Sequence, residues 1–272
     1  MKRMTSYMHG YSEREAERLF DQSAILRQLL HSDVAYPAGS KVLEAGCGVG
    51  AQTVALATNS PAAQFTSIDI SPQSLDQAKA LIESQGITNV RFQQADILDM
   101  PFDDDSFDHV FVCFVLEHLD NPTRALVEMK RVLKAGGTIT AIEGDHGSCF
   151  WHPETDESRK AWQAMIQVQI NLGHDPLIGR RLYPLLVQAG FEVKGVVPLW
   201  AYADASAPEL LDGGINRILA PMMETAREEA IEQGLIDRAT WEKGISDMHR
   251  ASLPPDGSVF YTWFRGTATK GY

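Results

Sequence analysis

The sequence predicts an α/β protein built on a doubly wound, mostly parallel sheet of seven strands, with helices on both faces. Three observations predict it. Between residues 41 and 144 short apolar runs alternate with helix-spaced stretches. The runs are apolar throughout instead of at every second position, as strands covered on both faces are. The first run ends in EAGCGVG, Glu44 to Gly50, a glycine turn that leads straight into a helix.

Taken in order, Ser12-x-x-Glu15 is a capping box, and Ala16, Leu19, Leu26, Leu29 and Leu30 follow at helical spacing, predicting a helix over residues 12–32. KVLEAG (41–46) reads as the first strand and GAQTVALATNS as the helix behind it. QFTSID (64–69) is the second strand, with Ser71 and Pro72 as N-cap and first residue of a helix ending at Ser84. The third and fourth strands are VRFQQAD (90–96) and FDHVFVCFVL (107–116). A helix opens at Asn121-Pro122 and stops before Gly136-Gly137, and TITAIEG (138–144) is the fifth strand. Beyond it, residues 158–172 and 179–189 read as helices, and 191–200 and 257–268 as the last two strands. Residues 206–250 are of helical composition and far exceed a usual connection, so they read as a substrate lid.

The 272 residues carry 36 acidic and 24 basic side chains, a net charge of −12. That balance opposes phosphate neutralisation and disfavours a nucleic-acid partner. Cys47, Cys113 and Cys149 form neither an even disulfide framework nor a C-x-x-C pair, which fits a reducing compartment. With no run long enough for a signal peptide or membrane span, the expectation is a cytoplasmic protein, a monomer or homodimer, that acts away from membranes on a small molecule. No linker or repeat marks a boundary. Residues 1–272 are therefore read as a single domain, with an N-terminal helical cap over 1–36, a cofactor-binding core over 37–199 and 257–270, and a helical lid over 200–256.

The glycine turn alone leaves its ligand open. Gly46-x-Gly48-x-x-Ala51 satisfies a permissive dinucleotide fingerprint, and Asp69 ends the next strand where an acid meets ribose hydroxyls. Further residues add to it. Glu44 precedes the first glycine in E-x-G-x-G-x-G, Asp96 ends the third strand in ADILDMPFDDDSFD, VLEHLDNP with His118 follows the fourth, and LKAGGTIT enters the fifth. Over residues 40–144 this series resembles the class I S-adenosylmethionine-dependent methyltransferases of small-molecule type, and is similar to the ubiquinone/menaquinone-biosynthesis methyltransferase-domain family.

The resemblance implies a Rossmann-like fold that binds S-adenosyl-L-methionine and releases S-adenosyl-L-homocysteine. It implies that Glu44 and the backbone of Gly46 and Gly48 border the methionine part of the cofactor, and that Asp69 receives the ribose hydroxyls with Ile70 beside it. Asp96 and the backbone of Ile97 would pair with the adenine edge, and the Cys113 carbonyl, with Phe114 next to it, would face the cofactor's amino group. Tyr11, ahead of the first helix, would close over the cofactor, and Tyr7 and His9 lie near it.

Methyl transfer from a sulfonium is a substitution at carbon and rests on holding the acceptor in line, with a base required only when the acceptor must lose a proton. His118 is one candidate base, which also reads as a helix cap, and Asp145 and His146 in EGDHGSCFWH are further residues to bind or deprotonate the substrate. His146, Cys149 and His152 are spaced H-x-x-C-x-x-H, too short a set to assign a metal. Cys113 stands where metal-dependent catechol-type enzymes have an Asp, so no metal is expected. Trp151, Trp162, Met165, Trp200, Met222, Met223 and Trp241 lean toward an apolar or aromatic acceptor, methylated on O, N or C. Two other readings stay open. An NAD(P)-dependent dehydrogenase leaves Asp96 unexplained and lacks a Tyr-x-x-x-Lys pair, while a non-catalytic module could bind the same cofactor.

Overall fold

The computed structural model describes residues 13–253 and 255–272, so Tyr7, His9 and Tyr11 lie outside the described residues. The chain divides into two compact units. One is formed by Leu26–Gly144, Ile178–Leu199 and Trp263–Tyr272, the other by Asp145–Leu177 and Trp200–Thr262 with the described part of the N-terminal 25 residues.

The first unit holds the strands expected of a doubly wound sheet. β1 (Lys41–Ala45), β2 (Gln64–Asp69), β3 (Val90–Gln94), β4 (Phe107–Cys113) and β5 (Leu133–Gly144) lie in the order β3-β2-β1-β4-β5, all parallel. The order reverses between β1 and β4, so the crevice at their carboxyl ends is where such a sheet takes its ligand. β8 (Ser258–Thr269) runs antiparallel to β5, pairing Thr138 with Thr269 through Gly144 with Trp263, and β7 (Glu192–Asp204) pairs with β8.

Side chains alternate across this sheet and give its two faces different work. Leu43, Ile68, Val110, Val112 and Ile139 form one apolar face, covered by α4 (Pro122–Val132) and α6 (Leu182–Gln188) through Leu126, Met129, Leu182 and Leu186. Glu44, Ser67 and Phe111 point the other way. There Phe111 meets His31, at the end of α1 (Glu13–His31), with ring centroids 5.8 Å apart. α2 (Ala51–Asn59) and α3 (Pro72–Ser84) bury Leu56, Leu75, Ala78 and Ile82. The helix starts carry the caps the sequence predicts: Ser71 Oγ accepts from the N–H of Ser74, and Asn121 Oδ1 from that of Arg124.

The second unit is mainly helical: α5 (Asp156–Asn171), α7 (Pro208–Asp212), a π-helical segment Gly213–Leu219, α8 (Ala220–Glu224), α9 (Arg227–Glu232) and α10 (Arg238–Arg250). Gly244 lets α10 press on α5, because a Cβ there would lie 2.5 Å from the Glu157 carbonyl oxygen. Trp162, Met165, Trp241 and Met223 are fully buried, and Trp151 and Met222 nearly so. Residues that leaned toward an acceptor pocket thus form the hydrophobic core of this unit, and Trp200 alone of that set is exposed.

The structure differs from the sequence reading at a few strand ends. An eighth strand, β6 (Phe150–His152), pairs antiparallel with the start of β8, a three-residue segment too short to carry a periodic signal. β4 stops at Cys113 instead of running to Leu116, because Phe114 turns into left-handed backbone at φ 57°. β5 begins at Leu133, five residues early, its register shifting opposite Phe107 and His109.

Candidate active site

The glycine turn is built by its neighbours. Gly46 and Cys47 donate their N–H groups to the Ile68 carbonyl at 2.9 Å each, tying the end of β1 to the end of β2. Asp69 completes the tie: Oδ2 accepts the Gly48 N–H and Oδ1 the Ser71 N–H, both at 2.9 Å. Burial lifts the Asp69 carboxyl above its usual range, and these backbone donors work against the rise.

Gly46 and Gly48 have φ of 82° and 51°, where L side chains are strained. Their surroundings differ. A Cβ on Gly46 would lie 2.5 Å from Val115 Cγ2, whereas one on Gly48 would meet nothing within 4 Å. The turn is therefore packed below and open above, a cradle of bare backbone at the ligand end of the sheet.

Acids surround it. Glu44 is buried beneath the turn, its Oε2 accepting from Thr53 Oγ1 at 2.8 Å and Ser67 Oγ at 2.6 Å, and burial pushes its carboxyl up to about 7. The Cys113 thiol is held far above its ordinary range by burial, then by the charges of Glu143, Glu44 and Glu117. The ionisable groups acting on Glu44 and Cys113 are all carboxyls. Next to Asp69, Ile70 is 53% exposed, an apolar side chain standing out at a polar strand end. Asp96 bends its own segment, accepting the Leu98 N–H at 2.9 Å through Oδ1, and Ile97 packs on the core behind it.

His118 lies on the short 3₁₀ turn Leu116–His118 after β4, its Nε2 3.5 Å from Glu117 Oε1. The first unit thus contains Glu44, Gly46, Gly48, Asp69, Ile70, Asp96, Ile97, Cys113, Phe114 and His118, all at the carboxyl ends of β1 to β4 or just beyond. Asp145 and His146 belong to the other unit. Asp145 caps a 3₁₀ turn by accepting from the Gly147 N–H. His146 is buried, with Nδ1 2.5 Å from Tyr261 Oη and Nε2 3.4 Å from Gln169 Nε2, and burial depresses its pKa to about 3. Among the described residues no group of three His, Cys, Asp or Glu side chains could hold a metal. Nor is any of their helices long and apolar enough to cross a membrane.

Two residues escape the sequence reading: Glu143 and Glu117. Glu143 is fully buried in β5 and accepts the backbone N–H groups of Val115 and Leu116 at 3.1 and 2.8 Å. A signal existed, since an ionisable residue inside the apolar strand TITAIEG has no place on the face of an ordinary core strand.

Residues 43–141 match the family described as the methyltransferase domain, the stretch that holds the glycine turn, Asp69, Asp96 and the β4 exit. The chain carries a methyltransferase domain of the class I, S-adenosylmethionine-dependent type. Over 234 residues it is 29% identical to an uncharacterized methyltransferase of Schizosaccharomyces pombe, covering 81% of this chain and 84% of that protein. Over 125 residues it is 34% identical to demethylmenaquinone methyltransferase of Staphylococcus aureus, covering 46% of this methyltransferase and 51% of the relative. The chain thus spans about half the length of that second relative. Its fold is similar to that of geranyl diphosphate C-methyltransferase from Streptomyces coelicolor A3(2), solved with Mg²⁺, geranyl diphosphate and S-adenosyl-L-homocysteine. That match has a TM-score of 0.54 at 18% identity, covering 92% of this methyltransferase and 79% of the other chain.

The cradle fits S-adenosylmethionine. Bare backbone at Gly48 would leave room for the methionine part, and the exposed Ile70 would offer an apolar face beside Asp69.

Proposed function

We propose that this methyltransferase acts on a small, apolar or aromatic organic acceptor, methylating it on O, N or C by in-line substitution. The observation that carries the cofactor end of this reading is the joint placement of Glu44, Gly48, Asp69 and Ile70 around one open turn. For the acceptor, support comes from the similarity over 125 residues to a protein named for methylating demethylmenaquinone.

When bound, S-adenosylmethionine supplies a methyl group on a cationic sulfur. The chain's own residues do the rest. Gly46 and Gly48 present backbone to the methionine part, with Glu44 behind them and the Cys113 carbonyl toward the amino group. Asp69 receives ribose hydroxyls, and Asp96 with the Ile97 backbone holds the adenine edge. Phe114 follows Cys113 at the β4 exit. His118 takes the acceptor's proton where one must leave, with Glu117 beside it to steady the imidazolium. Asp145 and His146 remain candidates for acceptor binding, although the hydrogen bonds of His146 within its own unit favour a supporting role.

Incubation with methyl-labelled S-adenosylmethionine and a panel of quinols, phenols, isoprenoids and amines tests the reading. Label transfer to a ring or apolar acceptor is expected. Transfer only to small charged amines would replace the acceptor class, and tight cofactor binding without transfer to any class would favour a non-catalytic module.

A further inference from the structure

A carboxyl group in the interior of a strand is costly, and it persists where it satisfies something that apolar packing cannot. Glu143 is such a group. Its Oε1 takes two successive backbone donors, Val115 N–H and Leu116 N–H, while its Oε2 is buried with no hydrogen-bond partner among the described residues. Burial, and then the nearby charge of Glu117, push its carboxyl well above the usual range.

The segment it grips is unusual in two ways. Phe114, immediately before the gripped residues, has φ 57°, a conformation that a bulky side chain adopts only when its surroundings enforce it. Its own N–H is anchored to the Ile142 carbonyl at 3.0 Å, so three consecutive backbone donors are held by two consecutive residues of β5. Val115, next in the chain, is the residue on which the glycine turn rests, its Cγ2 standing 2.5 Å from where a Cβ of Gly46 would be. A continuous path therefore runs from the β5 carboxyl through the left-handed β4 exit to the floor of the cofactor cradle.

We propose that Glu143 is a positioning residue for the cofactor: it holds the β4 exit in its left-handed shape and so sets the height of Val115 beneath Gly46. A leucine at 143 would fill the same space and leave the Val115 and Leu116 N–H groups without an acceptor. The turn would then relax, and the cradle with it. The inference rests on the site residues assigned above.

The test is calorimetric titration of folded Glu143→Leu, Glu143→Gln and Val115→Ala with S-adenosylmethionine and S-adenosylhomocysteine, with Asp69→Ala as a control on the site itself. Loss of two buried hydrogen bonds in Glu143→Leu is expected to weaken both ligands by about tenfold or more. Glu143→Gln, whose amide oxygen can accept the same two N–H groups, should restore most of that loss. Val115→Ala removes the support without touching the carboxyl, and a loss of about threefold to tenfold is expected, whether or not Glu143→Leu folds. Wild-type affinity in a folded Glu143→Leu protein, or in Val115→Ala, would overturn the proposal. If Asp69→Ala also binds normally, the site assignment falls as well; if Asp69→Ala binds poorly, only the role of Glu143 is lost.

Discussion

The Asp69 carboxylate bridges two backbone segments, accepting the Gly48 N–H through one oxygen and the Ser71 N–H through the other, each at 2.9 Å. A residue expected to bind ribose thus also fastens the glycine turn to the start of α3. Asp69→Ala should weaken S-adenosylmethionine binding by about 2–3 kcal/mol, roughly 30- to 150-fold, by removing both the ribose contact and the turn's anchor. Asp69→Asn keeps an oxygen for one of the two donors and should fall between, as calorimetry would show. Equal affinity for wild type and Asp69→Ala would remove this residue from the site.

The two glycines of the turn should fail differently. Gly46→Ala places a methyl group 2.5 Å from Val115 Cγ2 at positive φ, and a stability loss of about 2–4 kcal/mol is expected. Gly48→Ala meets no neighbour and should cost only about 1 kcal/mol of backbone strain. Its methyl group, however, projects into the open side of the cradle, so affinity should drop while the melting temperature stays near wild type. A Gly48→Ala protein that binds normally would move the ligand off that side of the turn.

Glu44 makes stability depend on pH in a definite direction. Its folded pKa, about 7, lies above the ordinary carboxyl value, so the native state binds more protons than the unfolded state between about 4.5 and 7. This group therefore lowers stability as pH rises through that window, by on the order of 3 kcal/mol in total. His31, held at about 4 by burial, acts oppositely and favours the native state as pH rises from about 4 to 6.5. Glu44→Gln should remove the first trend, so its urea midpoint should gain on that of wild type between pH 5 and pH 8. Parallel curves for the two proteins would show that Glu44 is ionised normally.

Removing the candidate base should affect turnover more than binding. With an acceptor that loses a proton, His118→Ala is expected to lower the methylation rate about 100-fold, while affinity for S-adenosylhomocysteine falls by less than about tenfold. An unchanged rate would end the assignment, and Glu117 would then serve only the turn.

Much of the site was legible in the chain because its parts lie at sequence positions fixed by local rules. Gly46 and Gly48 mark a turn that needs positive φ, Asp69 ends β2 and Asp96 lies two residues past β3, where a parallel sheet gathers its ligand contacts. Ser71 and Asn121 announce their helices by short-range capping. What stayed hidden depends on contacts across the sequence. Glu143 meets Leu116 across 27 positions, and neither residue signals the other. The tryptophans and methionines of the helical unit look alike in sequence whether they line a pocket or fill a core, and only packing could place Trp162 and Trp241 inside.

By itself, then, the sequence determined the alternation of strands and helices, the glycine turn and the acids at the strand ends, because periodicity, caps and backbone freedom act over a few residues. The tertiary structure decided which acids are buried, that Phe114 is held in left-handed backbone, and that Val115 supports the cradle. These are consequences of strands β1, β4 and β5 lying side by side, and burial and long-range hydrogen bonds exist only once they do.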